Sequence, residues 1–489
     1  MSKYLQVIVI LLPILGSLII PLIKDKYRKW RCVYIEALVV INSILVLLML
    51  LNNRGQVCEV IYFTGDLSIS FVVDDLSMVF SGLVSFLWPL ATLYSFEYMT
   101  KEQNERVFFM FYTMTYGVTL GIALAEDYIT MYCFYEMLTL VTVPLVIHTL
   151  KREAIVAARK YLYFSLGGAA FAFLGLIFII MYGTTNKFAL GGVLDIAKIG
   201  TRTNVLLLIY VLAFMGFSVK AAMWPFNAWL PQASVAPTPV TALLHAVAVV
   251  KSGAFAIMRI TYYSFGTDFL RGTWAQYVVM AFTIVTIVYG CSKALKETHL
   301  KRRLAYSTIS NMSYILFGVT IMTPLGLVGA LTHFVYHAFM KICSFFCAGA
   351  VMHQTEKTYI HELNGLGKKM PIIFSIFTLS SLALMGVPLF AGFISKFNLA
   401  TAAIDSGNPL AVVGVGALLI SALLTAIYML SIVFRAFVLK NESEDKDVKY
   451  KDPNQLMLIP LFIFAVVIII LGLYSKPFVE FFRQVAGIY

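Results

Sequence analysis

Charge is scarce in this chain: only 13% of its 489 residues are charged, against roughly a quarter in water-soluble proteins. With 60% of residues hydrophobic, that scarcity excludes a soluble globular domain. Cysteine is sparse too. Cys32, Cys58, Cys133, Cys291, Cys343 and Cys347 form no C-x-x-C unit and mostly lie in apolar runs, which argues against iron–sulfur clusters and structural zinc. Ser- or Pro-rich linkers are missing, and most polar connections are short. A single integral membrane domain is therefore expected.

What the chain has in abundance is long apolar runs. The first, from Tyr4 to Ile23, contains Pro13 and Gly16 and no small-residue cleavage site, so it is expected to be a retained span and not a signal peptide. Runs of about 20 residues predict an all-α membrane protein of about fourteen transmembrane helices. They begin near Tyr4, Cys32, Asp74, Arg106, Asp127, Lys160, Asn204, Pro239, Trp274, Leu304, Pro324, Met370, Pro409 and Asn454. The longer polar pieces are 52–73, 184–203, 293–303, 353–369 and 441–452. The last, "NESEDKDVKYKD", reads as a solvated cytoplasmic loop. Alternation in "LSISFVVDD", 67–75, suits a short external strand.

The net charge of +12 invites a nucleic-acid reading. Its distribution removes the need for one. With the N-terminus outside, the odd-numbered connections carry about 23 Lys and Arg, against about 9 outside and about 5 within spans. The excess thus reports topology: a multi-pass protein of the cell membrane with both termini external.

Two segments share an unusual design. The seventh span carries Lys220 followed by Pro225; the twelfth carries "GVPLFAGFISK", with Gly386, Pro388, Gly392 and Lys396. Each is an apolar segment interrupted by helix breakers beside a lysine, five spans apart and so in opposite orientation. Inverted repeats with discontinuous helices are a recurring way to build an ion site in a membrane.

An ionisable group deep in a bilayer costs about 2.5–3.5 kcal/mol on insertion scales, so each one needs a reason. Glu136 lies about nine residues past Asp127 and about fifteen before Lys151, too deep for its short side chain to reach water. Protonation or a nearby tyrosine is its bland explanation. Lys220 could snorkel if the helix ended at Pro225, but "FNAWLP" continues apolar and favours a break at mid-depth. Lys251 is about twelve residues from either end of its span. His245, six residues earlier, falls on a different helical face and would by itself be an ordinary core histidine.

His333, His337 and Lys341 fall at i, i+4 and i+8, on one stripe of the eleventh helix. No carboxylate or thiol accompanies the histidines, so no metal is expected, and haem is less suited still because its axial ligands approach from opposite sides. A titratable stripe is what a proton relay requires; a polar stripe holding internal water would have the same geometry. Lys396 follows the second break. Lysine suits relay work because burial or a cationic neighbour eases loss of its proton while a carboxylate opposes it.

Several of these stretches resemble the antiporter-like subunits shared by complex I, Mrp-type cation/proton antiporters and membrane-bound hydrogenases. They are "CFYEMLTLVTVPLVI", "KAAMWPFNAWLPQASVAPTPVTALLHAVAVVKSG", "LKRRLAYSTISNMSYI", "HFVYHAFMK" and "GVPLFAGFISKF", in this order over roughly residues 60–440. The resemblance implies fourteen helices with two inverted five-helix repeats, 106–263 and 274–440, between N-terminal helices at 1–105 and a final loop and helix at 441–489. It further implies a Glu136–Lys220 pair, Lys251, Lys341 and Lys396 as protonation sites, and other membrane subunits as partners. The family often has Pro at Ala222, His at Asn227 and Asp at Gln232, positions expected near the cytoplasmic mouth. Lys396 and a chain without a long lateral helix look more like Mrp D-type or hydrogenase-type members.

The function expected is translocation of H+, alone or in exchange for Na+, within a multisubunit complex, with lipid around it, no cofactor and no catalytic chemistry in this chain. A stand-alone carrier of a small solute would place substrate-specific polar groups at the helix breaks, where Gly, Pro and aromatics stand. A cofactor-holding redox subunit would betray itself by absorbance or bound metal.

Overall fold

A computed structural model describes residues 4–64, 67–440 and 450–488. Its main helices are α1 (Leu5–Ser17), α2 (Arg28–Asn52), α3 (Asp75–Tyr98), α4 (Glu105–Ala123), α5 (Tyr128–Val146), α6 (Arg152–Tyr182) and α7 (Thr203–Lys220). There follow α8 (Thr238–Phe265), α9 (Trp274–Lys296), α10 (Leu300–Thr320) and α11 (Pro324–Thr355). The last are α12 (Pro371–Met385), α13 (Ala391–Asp405), α14 (Pro409–Phe437), α15 (Gln455–Leu473) and α16 (Lys476–Val485).

Eleven helical stretches among the described residues are long and apolar enough to cross a bilayer. The other positions predicted as spans are filled by α4, α10 and the pair α12–α13. Their chemistry sets them apart: α10 buries Ser307, Thr308, Ser310, Asn311 and Ser313. Most predicted starts agree with the observed ones, and at several a capping residue marks the start. Asp74 accepts from Ser77 N (2.8 Å), Asp127 from Thr130 N (2.6 Å) and Asn454 from Leu456 N (3.1 Å). The sixth helix is the largest exception, starting at Arg152 and not near Lys160, since its charged first turns extend beyond the apolar run.

Of the strand expected at 67–75, residues Leu67–Val72 form one, while Asp74 caps α3 and Asp75 opens it. Val57–Thr64 (β1) and Leu67–Val72 (β2) pair antiparallel, Glu59 facing Ser70. The hairpin joins other even-numbered connections, with Ser70 Oγ on Asp127 (2.8 Å) and Lys187 on Glu59 (3.1 Å) and Glu126 (3.1 Å). Odd-numbered connections likewise meet one another: Lys101 Nζ donates to His353 O (2.5 Å) and Leu300 N to Thr358 O (2.9 Å). The two sets therefore occupy opposite ends of the bundle. The polar stretch 293–303 is not a loop; α9 and α10 absorb most of it, burying Lys301 and Arg303. The expected solvated loop 441–452 lies mostly outside the described residues.

Close backbone approach positions the centre. A Cβ on Gly216 would come within 2.5 Å of Gly168 O, and one on Gly168 within 2.7 Å of Gly216 O. Only glycine at both allows α7 to lie this near α6, a packing device of membrane helices.

Candidate functional site

The first break is set by backbone geometry one turn before Pro225. Helix α7 ends on Lys220, and Ala222, fully buried, takes φ +58° while its N–H donates to Val219 O (3.1 Å). Proline, fixed near φ −65° and lacking the N–H, cannot occupy that conformation, so the departure from the family pattern at Ala222 belongs to the shape of this turn. Pro225 lies within the non-helical stretch that follows. Ala222 is thus in the interior beside Lys220, not at the mouth; Asn227 is also buried, and Gln232 is exposed. Because alanine in this region is strained by about 1 kcal/mol, Ala222→Gly is expected to raise the melting temperature slightly in detergent. Ala222→Pro is expected to lower it markedly.

Lys220 turns its ammonium inward. Its Nζ donates to Tyr135 O, lies 3.4 Å from the centroid of the Tyr135 ring, and stands 3.8 Å from Glu136 Oε1. The lysine side chain is 1% exposed and the glutamate 23%. Gly253 of α8 presses on this turn; a Cβ there would come within 2.6 Å of Ala221 N. The snorkelling explanation for Lys220 therefore fails.

Lys251 points into the contact of α8 with α11. Its Nζ donates to Phe334 O (2.6 Å) and lies 3.3 Å from His337 Nδ1. His333 stacks on His337 with ring centroids 5.6 Å apart, and its Nδ1 lies 2.9 Å from Ser395 Oγ on α13. Ser395 adjoins Lys396, whose Nζ donates to Leu384 O (2.7 Å) and Met385 O (2.8 Å). Lys396 thereby caps the open end of α12 across the second break, placing a cation on the negative end of a helix. Lys251, His337, His333 and Ser395 are thus joined by a hydrogen bond, a ring stack and a second hydrogen bond, and Lys396, the next residue of α13, lies within electrostatic reach of His333. The two histidines serve different partners, an ammonium and a hydroxyl, and do not converge on a common point as metal ligands would.

Lys341 and His245 form a side branch. Both are fully buried; Lys341 Nζ has no hydrogen-bond partner among the described residues, and the His245 ring lies beside the Leu230 backbone. His245 packs on the Phe345 ring (4.9 Å), so it faces α11 as Lys251 does, contrary to the expectation of a different face. A wide π-type turn over Leu243–Val247, closed by Ala248 N to Leu243 O (2.9 Å), inserts an extra residue and changes the phase between them.

At the second break Gly386 (φ +91°) and Leu389 (φ +77°) redirect the chain around Pro388. Gly392 is not part of the break. It is the second residue of α13, and a Cβ there would overlap Ala383 O, so it serves close packing of the two half-helices. Sequence alone did not single out Tyr135, Phe334, Ser395 or Tyr314, whose ring lies 5.5 Å from Lys396 Nζ. Of these only Ser395, beside Lys396, carried a local signal.

The stretch that holds both breaks and the buried lysines is matched by a family model. The model for "NADH:quinone oxidoreductase/Mrp antiporter, TM" covers residues 125–425. The chain belongs to this family. A second model, the N-terminus of chain 5 of NADH-ubiquinone oxidoreductase (complex I), matches residues 62–109. The A-type subunit of the Na(+)/H(+) antiporter of Alkalihalophilus pseudofirmus is 29% identical over 95% of this chain and 60% of its own length. The A1-type subunit of the Na(+)/H(+) antiporter of Staphylococcus aureus (strain JH9) is 27% identical over 96% and 61%. This family member thus spans about three fifths of those curated relatives, which are A-type, whereas the resemblance drawn from sequence was to Mrp D-type or hydrogenase-type members.

Two solved structures share its fold. A chain of the Mrp complex from Dietzia sp. DQ12-45-1b superposes with a TM-score of 0.85 at 20% identity, covering 100% of this chain and 97% of that one. A chain of the membrane-bound sulfane sulfur reductase, an archaeal respiratory membrane complex, gives 0.84 at 23%, covering 99% and 97%. The family member described here is accordingly a multi-pass, all-α membrane protein.

Proposed function

We propose that this chain is a proton-translocating subunit of a multisubunit membrane complex, moving H+ through its buried axis, alone or in exchange for Na+. The observation that carries the reading is the buried run Lys251, His337, His333 and Ser395, with Lys396 within electrostatic reach of His333 and with Lys220, at the end of the first broken helix, paired with Glu136 of α5. Buried polar atoms with no hydrogen-bond partner among the described residues, among them His333 Nε2, His337 Nε2 and Lys341 Nζ, mark where internal water would complete the path.

The mechanism follows from Coulomb coupling. Two unit charges about 4 Å apart interact by about 4 kcal/mol at an effective dielectric constant of 20, several times thermal energy. Protonating one site therefore changes the proton affinity of the next, and the sites titrate as a coupled set. With Glu136 close, Lys220 keeps its proton; when the pair opens, Lys220 holds it less tightly and its charge acts more strongly on Lys251.

We place fourteen crossings in two inverted repeats, 106–263 and 274–440, between 1–105 and 441–489. The two broken helices, in opposite orientation, support this division. We also place the odd-numbered connections, rich in Lys and Arg, in the cytoplasm and both termini outside. The A-type relatives favour an Mrp-type parent, and both solved neighbours are parts of complexes. Purification of the tagged chain from its native membrane is expected to bring other membrane subunits with it, and sealed vesicles containing that assembly are expected to move protons. A chain purified alone, without proton flux, would contradict the reading.

A further inference from the structure

A polar cavity of about 670 Å³ opens where the odd-numbered connections meet. Glu102, His148, His299 and Lys301 line it, and its floor is the backbone of Ser234–Pro237, immediately before α8. The other charged groups on its walls are Lys101, Lys151, Glu153 and Arg302. Lys301 is the deepest cation, 5% exposed, with Nζ donating to Ala236 O (2.8 Å). The same carbonyl accepts from Thr241 Oγ1 (3.2 Å). Thr238, Thr241 and His245, all fully buried, follow the floor within the first turns of α8.

His245 lies within electrostatic reach of both Lys301 and Lys341, and Glu102 is the carboxylate within reach of Lys301. At the rim, His148 is 7% exposed, and neither His148 Nε2 nor the buried His299 Nδ1 has a hydrogen-bond partner among the described residues.

We propose that this cavity is the mouth by which protons enter the axis, Glu102 and Lys301 forming a loading pair that passes them by Thr241 and His245 to Lys341. The inference rests on the proton-translocating function above and assigns it an entrance separate from the Glu136–Lys220 pair. Supporting chemistry lies outside the spans. Burial holds the His148 imidazolium below its usual range, and burial with the neighbouring Lys301 and Arg302 brings His299 down to about 4. Burial raises Glu102 against the opposing pull of Lys301 and Lys151. Both imidazoles line the cavity, where they can hydrogen-bond water that enters it.

The test compares Lys301→Arg, Glu102→Gln and Thr241→Val in sealed vesicles carrying the whole complex, with assembly checked by copurification. Arginine keeps the charge and the bond to Ala236 O but cannot release a proton, so a positioning role alone would survive the change. Expected is a fall in proton flux of at least about tenfold for Lys301→Arg and a smaller fall for the other two. Wild-type flux in assembled Lys301→Arg overturns the entrance while leaving the transport function standing. If that variant fails to assemble, the other two decide, and wild-type flux in both overturns it. A wild-type complex that moves no protons overturns the function and the entrance together.

Discussion

Lys220→Ala and Glu136→Ala are each expected to reduce coupled proton transport by at least about a hundredfold while the complex still assembles. The reason is electrostatic. Lys220 is 1% exposed, and its ammonium is held by Tyr135 O, the face of the Tyr135 ring and Glu136 Oε1 at 3.8 Å. Removing the glutamate leaves a buried cation without its counter-charge, so the lysine loses the partner whose approach and withdrawal change its hold on a proton. Removing the lysine takes away the switch itself. Assembly should survive because neither side chain lies in the tight glycine contacts that hold α6 on α7 or α8 on the Lys220 turn. Proton flux in sealed vesicles, normalised to copurified complex, measures the effect.

The largest loss of stability is expected at Asp74. Its carboxylate takes a two-pronged bond from Arg259, NH1 at 2.5 Å and NH2 at 2.8 Å, and also caps α3 through Ser77 N. The guanidinium is fully buried and enclosed by the rings of Phe188, Phe255 and Tyr263, each about 5 Å away. Asp74→Ala would strand that charge, which typically costs about 3–5 kcal/mol, with about 1 kcal/mol more for the lost cap. Thermal unfolding in detergent should show a large fall in melting temperature. Pairing Asp74→Ala with Arg259→Met should restore part of it, because the stranded charge is gone.

How much of this could be read from the residues follows from the cost of placing charge in lipid. Glu136, Lys220, Lys251, Lys341 and Lys396 stood out because nothing cheap explains an ionisable group in an apolar run. Their partners did not. Tyr135 O and Phe334 O are backbone atoms, identical at every position, and become ligands only once α5 meets α7 and α8 meets α11. Arg259 and Asp74 are 185 residues apart, and each alone resembles a helix-end charge. The face of His245 was misjudged because a π-type turn shifts the phase without a sequence signature that periodicity detects. Lys301 was hidden by its company: it falls in the polar stretch 293–303, yet α10 begins at Leu300 and the lysine is buried against Ala236 O at the cavity floor.

The glycines and prolines divide similarly. Pro388 and Gly386 were legible as a break because each has an intrinsic backbone preference. Gly392 was assigned to the same break, but the need for glycine there comes from Ala383 O across the interface, a tertiary fact. Ala222 shows the reverse case, a left-handed turn formed by a residue with no preference for it, imposed by the packing of Gly253 on the Lys220 turn.

Whether protons themselves pass along the buried run from Lys251 to Lys396 is tested most directly by Lys251→Arg. Arginine preserves the cation facing Phe334 O and His337 but cannot give up its proton. Proton flux through sealed vesicles bearing the assembled variant complex should fall at least about a hundredfold below wild type. Flux at the wild-type rate would show that protons take another path.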